Sequence, residues 1–162
     1  CLYLTVIYAV KMKKQGFAGN AIVAFLTASP IIAVAIEAEA AFIQLLLPAG
    51  SAFLITCMRE LAKDCEDIAG DARVNSKSIP VTKGIVFSRY CILGLTVTLT
   101  CFTLAMRSFA DHTGLYYGIV VGGVSLCTGV AYYYVTKNNF SRASTLYKIA
   151  MLLGIGGLWL SR

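Results

Sequence analysis

Apolar residues occur along this chain in long runs separated by short polar connections, and not in the short alternations of an amphipathic soluble fold. Residues 17–36, 38–58, 85–106, 114–135 and 143–160 each form a predominantly apolar stretch, and residues 1–10 form a shorter one. About 20 helical residues cross a hydrocarbon core about 30 Å thick, so each of the longer stretches has the length of a membrane span. Lipid offers no partner to a free backbone amide, which leaves helices as the economical solution. The predicted fold class is all-α, a polytopic transmembrane helical bundle of five full spans plus a truncated one. Pro30 and Pro48 fall within the first two full spans, where they kink a helix without ending it if neighbouring groups satisfy the freed carbonyls.

Composition agrees with the pattern. The 162 residues are 58% hydrophobic and 14% charged, with a mean hydropathy of +0.75, outside the range of ordinary soluble domains. The formal charge of +6 comes from basic residues scattered between apolar runs. They form no basic face with interleaved aromatics, so nucleic acid is not expected as a partner. The six cysteines show no CxxC pair and no Cys/His metal spacing, and most lie in apolar runs as small hydrophobes. Cys1 opens the chain inside an apolar run, without Met or a charged flank. We therefore expect residues 1–162 to be the C-terminal portion of one longer domain.

If every span crosses, the connections alternate sides and the basic residues test the count. Lys11, Lys13, Lys14, Arg59, Lys63, Arg73, Lys77, Lys83, Lys137 and Arg142 fall on one side, and only Arg107 and Arg162 on the other. This bias places the first set on the cytoplasmic or stromal face of a multi-pass integral membrane protein. The glycine-rich stretches 118–123 and 154–157 read as close helix contacts, because small residues let helices approach in lipid.

One segment breaks the apolar pattern. Residues 59–84, RELAKDCEDIAGDARVNSKSIPVTKG, hold five acidic and five basic side chains. If the second full span continues as a helix toward Gly70, then Glu60, Asp64, Asp67 and Asp71 recur at i, i+4, i+7 and i+11 within a sector of about 60°. Crowded carboxylates repel, and a divalent cation relieves the repulsion. Oxygen donors without Cys or His favour a hard ion such as Mg²⁺, which commonly shares its coordination with phosphate oxygens. Arg59, Lys63, Arg73 and Lys77 flank the acids and suit a diphosphate. A solvated helix end, with Glu60, Asp64 and Glu66 paired to Lys63 and Arg59, accounts for the same spacing. Glu37 and Glu39, on the opposite side and without basic neighbours, read as a turn.

The order Arg59-Glu60, Lys63-Asp64, Asp67, Gly70-Asp71, then Arg73, Lys77, Ser78, Pro80 and Gly84 resembles the second aspartate-rich motif of the UbiA superfamily of intramembrane prenyltransferases. Lys11 to Lys14 with Gly19-Asn20 is similar to the join before that family's fifth helix, and three spans follow the motif. The resemblance implies a helical bundle around a central cavity with a lateral opening for a polyprenyl tail. It implies Asp64, Asp67 and Asp71 as catalytic Mg²⁺ ligands, direct or through water, and Lys63, Arg73 and Lys77, assisted by Arg59, as diphosphate-binding residues. Prenyl diphosphate, a lipophilic acceptor and membrane lipid are the implied partners. The family also uses a first motif, NDxxDxxxD, that does not occur in this chain. Half of the metal site is thus expected elsewhere, and the 162 residues alone are expected to be inactive.

The RExxKDxxDxxGD form resembles the branch that prenylates geranylgeranylglyceryl phosphate. Homogentisate, 4-hydroxybenzoate and chlorophyllide are the alternative acceptors. A membrane transporter fragment with a cation-binding acidic cluster is the alternative of another class. His112, Tyr116-Tyr117 and Tyr132 to Tyr134 read as loop or interface residues, and Arg89 as either a phosphate contact or a helix-end anchor.

Overall fold

The computed structural model describes residues 16–37, 42–106 and 118–160, and every regular element among them is helical. They are α1 (Phe17–Glu37), α2 (Phe42–Glu66), the short α3 (Ile68–Arg73), α4 (Ile79–Met106), a π-helical segment (Gly118–Val124) that runs directly into α5 (Ser125–Thr136), and α6 (Phe140–Leu160). The stretch expected as a truncated span, the basic Lys11 to Lys14, Glu39, His112 and Tyr116-Tyr117 lie outside the described residues.

The helices keep their backbone groups satisfied in the way apolar surroundings demand. Pro30 has no N–H to offer the Leu26 carbonyl, and the Ser29 hydroxyl donates to that carbonyl at 3.0 Å instead. The hydroxyls of Thr27, Thr56, Ser88, Thr96, Thr98 and Thr100 each donate to the carbonyl four residues earlier. This local bonding satisfies the hydroxyls within their own helices, and Thr96 Oγ1 also donates to Met58 Sδ of α2 at 3.3 Å.

Helix α2 is the hub, packed against α1, α4 and α6. Leu47, Ile55, Met58, Leu61, Ala62 and Cys65 from α2 meet Ile92 and Leu99 of α4 and Ala143, Tyr147 and Ala150 of α6 in one core. The outward faces are as apolar as the core. Val86, Tyr90, Leu93, Val97 and Leu104 form a stripe along α4, and Leu126, Val130 and Tyr133 form one along α5. Tyr90 is 67% and Leu126 70% exposed, which costs little only where the surroundings are themselves apolar. By length and composition, Phe17–Val34 in α1 and Ile79–Ala105 in α4 can each cross a membrane.

Helix α4 starts six residues before the predicted span and is interrupted at Gly84, whose φ of 85° and ψ of 164° no side-chain-bearing residue adopts comfortably. Among the described residues, the glycines expected at close helix contacts at 118, 122, 123, 154 and 156 do not make them. A Cβ on Gly118, Gly122, Gly154 or Gly156 would meet nothing within 4 Å, and one on Gly123 only a Leu153 methyl at 3.7 Å. Between α1, α2 and α6 lies an apolar cavity of about 340 Å³, walled in part by Thr27, Pro30, Pro48, Ser51, Ile55 and Gly154.

Candidate functional site: an acidic pocket at the end of α2

Toward its C-terminal end α2 divides its faces. Met58, Leu61, Ala62 and Cys65 stay in the core, while Glu60, Lys63 and Asp64 turn to the other side and line a pocket. The helix does not continue unbroken to Gly70, as the spacing predicted, because it bends at Asp67, with φ −106° and ψ 32°. The helical bonding nevertheless carries through. The Asp67 N–H donates to the Lys63 carbonyl at 3.0 Å and the Asp71 N–H to the Asp67 carbonyl at 2.9 Å, so the acids stay on one side. Gly70 lies directly beneath the Asp67 carboxylate, and a Cβ there would fall 2.3 Å from Asp67 Oδ1.

The turn after α3 closes the pocket. The Ser76 N–H donates to the Asp71 carbonyl at 2.9 Å and the Asn75 N–H to the Ala72 carbonyl at 3.3 Å, with Asn75 left-handed at φ 50°. This is a Schellman ending, in which an asparagine takes the place usual for glycine. It returns the chain under the site and buries Ser76 and Ser78. From the other side Gly16, at φ +59°, sits so near the Lys77 carbonyl that a Cβ would be 2.0 Å from the oxygen. That contact docks the start of α1 on the turn and brings in Asn20, whose Nδ2 donates to Asp64 Oδ2 at 2.7 Å.

The result is a polar pocket of about 290 Å³ in which Glu60, Lys63, Asp64, Asp67 and Asp71 face Gly16, Asn20, Ser76 and Ser78. Burial pushes the Asp64 carboxyl up to about 6, the charges of Asp71 and Glu60 add to the rise, and Asn20 and Lys63 oppose it.

Of the predicted residues, Asp64, Asp67, Asp71 and Lys63 come together in the pocket. Arg59 does not line it and is paired to Glu60, Nη1 to Oε1 at 2.6 Å. Lys63 Nζ also reaches Glu60, at 3.9 Å. Arg73 and Lys77 are exposed and outside the lining. The solvated-helix-end reading is met for Glu60 alone, since Asp64 takes Asn20. Arg89 turns away from the site and donates to Asn138 Oδ1 in the α5–α6 turn, which makes it a helix-end anchor. Among the described residues no three carboxylates, thiols or imidazoles converge closely enough to hold a metal unaided. Mg²⁺ needs only one or two carboxylates when water and phosphate complete its octahedron, so the donor set fits an ion shared with a phosphate ligand. Gly16 and Ser76 were not legible as pocket residues, and Asn20 and Ser78 entered only as positions of the family pattern, without a role. Asn20 is 44 positions from Asp64, and no periodicity links α1 to the far end of α2.

The sequence profile of the UbiA prenyltransferase family matches residues 1–154. The chain belongs to the UbiA prenyltransferase family. UbiA proteins are membrane-integral, in keeping with the apolar outer faces of this bundle. Curated relatives include the digeranylgeranylglyceryl phosphate synthase of Thermococcus sibiricus, 34% identical over 162 residues, covering 94% of this chain and 54% of the relative. The protein of that name from Methanoculleus marisnigri is 31% identical over 125 residues, 73% of this chain and 43% of the relative. That from Methanosphaera stadtmanae is 26% identical over 158 residues, 98% and 57% respectively. The chain thus spans about half the length of the curated relatives it matches. No solved structure matches it.

Proposed function

We propose that this chain carries the diphosphate-binding half of a UbiA-type prenyltransferase that moves a polyprenyl group from prenyl diphosphate to geranylgeranylglyceryl phosphate. The observation that carries the proposal is the pocket itself, where three motif aspartates and Lys63 share one polar cavity at the end of an apolar helix. The acceptor rests on the names of the relatives at 26–34% identity. In this reading residues 1–162 form the C-terminal portion of the domain and cross the membrane five times, with the pocket on the cytoplasmic side.

When bound, Mg²⁺ would neutralise the charge that develops on the departing diphosphate. Asp64, Asp67 and Asp71 would hold it, directly or through water. Lys63 lies in the pocket to pair with phosphate oxygens, and Arg59 holds Glu60 so that Lys63 is not its sole cation. Arg73 and Lys77, exposed beside the pocket, would reach a diphosphate from its open side. The apolar helices around the site limit water, which would otherwise capture the allylic cation. An acidic cluster serving ion transport would be expected nearer mid-membrane and without flanking phosphate-binding bases.

The test is prenyl transfer by the whole protein in lipid, with geranylgeranyl diphosphate as donor. Geranylgeranylglyceryl phosphate, homogentisate, 4-hydroxybenzoate and chlorophyllide are supplied in parallel, with and without Mg²⁺. Mg²⁺-dependent product from the first acceptor alone is expected. Product from an aromatic or tetrapyrrole acceptor instead would overturn the acceptor assignment, and no transfer to any of them would overturn the enzyme reading.

A further inference from the structure

The pocket has more negative charge to hold than cations to hold it with. Among the described residues Lys63 is the one basic side chain in the lining, Arg59 is committed to Glu60, and Arg73 and Lys77 lie outside it. A diphosphate presents several charged oxygens in different directions, and those that neither a metal, Lys63 nor the exposed Arg73 and Lys77 reach need neutral donors. The lining supplies one with no hydrogen-bond partner among the described residues.

Ser78 lines the pocket, is only 2% exposed, and its hydroxyl has no hydrogen-bond partner. Its place in the fold makes this unusual. Ser78 is the N-cap of α4, its carbonyl accepting from the Thr82 N–H at 3.0 Å. An N-cap hydroxyl ordinarily accepts from the N–H at the second or third helical position. Pro80 occupies the second and has none, and the Ser78 hydroxyl takes up no other capping bond. The backbone around it is held firmly by the Schellman ending at Asn75 and by the contact of Gly16 with the neighbouring Lys77 carbonyl. A buried hydroxyl without a partner is rare, and one on a residue that lines a ligand cavity has an evident use.

We propose that Ser78 Oγ donates a hydrogen bond to a phosphate oxygen of the bound prenyl diphosphate, making Ser78 a diphosphate-binding residue alongside Lys63. The inference rests on the diphosphate reading of the pocket and adds a neutral contact from the α3–α4 turn. It places recognition of the leaving group partly on a segment that carries none of the motif carboxylates.

The test is binding, not turnover. The whole protein in detergent or nanodiscs is titrated with geranylgeranyl S-thiolodiphosphate, an unreactive donor analogue, in Mg²⁺, and separately with geranylgeraniol, which has the tail and no phosphate. Ser78→Ala is expected to weaken the analogue about tenfold, the scale of one hydrogen bond to a charged group, and to leave geranylgeraniol binding unchanged. Ser78→Cys, near-isosteric with a weak donor, is expected to show a similar loss and serves if the alanine variant cannot be purified. Wild-type affinity for the analogue in these variants would overturn the inference alone. Parallel loss of both ligands would make Ser78 structural and overturn it as well. A wild-type protein that binds no analogue would overturn the diphosphate reading along with it.

Discussion

The acidic pocket and the apolar cavity draw walls from the same two helices, α1 and α2. Each contains a buried serine hydroxyl without a partner, Ser78 in the first and Ser51 in the second. Ser51 looks into a cavity formed by Pro30, Ile31, Pro48, Ala52 and Ile55, where the nearby Thr27 hydroxyl already donates to the Val23 carbonyl at 2.9 Å. Ser78 shares its lining with Glu60, Asp64, Asp67 and Asp71, the carboxylates of the proposed metal and diphosphate site. The same atom in the same state therefore means two things. In apolar surroundings it is an uncompensated cost, and in the proposed diphosphate site it is a donor held ready.

The comparison breaks most readily at the acids. Asp67→Ala or Asp64→Ala in the whole protein should reduce Mg²⁺-dependent prenyl transfer by at least about a hundredfold, beyond the loss typical of outer-shell partners. Membrane insertion and expression should remain intact. Unchanged turnover in either variant would remove the site assignment. A smaller effect is expected at Gly70→Ala, where the added methyl would sit 2.3 Å from Asp67 Oδ1 and must displace that carboxylate. Affinity for Mg²⁺, read by titration in the presence of the thiolodiphosphate analogue, should fall roughly tenfold, with the helical circular dichroism unaltered.

Asn20→Ala sharpens the electrostatic side. Burial has already raised the metal-free Asp64 carboxyl from 3.8 to about 6. The neutral acid is thus the form the fold favours, and the contribution of this group to stability is lost as pH rises through that value. Asn20 donates to the carboxylate and favours the charged form. Its removal should move the titration upward, measured by the infrared carboxyl band of metal-free protein, and a downward move would contradict the assigned bond. The smallest effect belongs to the apolar cavity. Ser51→Ala removes a hydroxyl without a partner and should change thermal stability by no more than about 1 kcal/mol, in the stabilising direction. The analogue should bind as before, and any loss would mean that the two cavities are coupled.

Much of this was legible in the chain. The i, i+4, i+7, i+11 spacing of Glu60, Asp64, Asp67 and Asp71 put all four in one pocket even though the helix bends at Asp67, because the backbone bonds at Asp67 and Asp71 preserve the helical path. Arg73 and Lys77 share the same stretch of sequence yet stay outside the lining. Arg73, two residues past Asp71 at the end of α3, falls on the other side of that helix, and Lys77 follows the turn at Asn75, where helical spacing no longer applies. The glycines at 118, 122, 154 and 156 looked like contact residues, and the packing leaves them open, since a small side chain permits close approach without causing it.

By itself the sequence determined the helical class, because runs of apolar residues with the length of a span leave the backbone no other way to satisfy itself in lipid. It also determined which acids would lie together, because a helix imposes its period on its own residues. What covers those acids was decided by the tertiary structure alone. Gly16 on the Lys77 carbonyl, Asn20 on Asp64, and Ser76 and Ser78 folded beneath α3 meet through the docking of α1 and the left-handed turn at Asn75. Such contacts between distant segments follow no local period, and they turned an acidic helix face into an enclosed pocket.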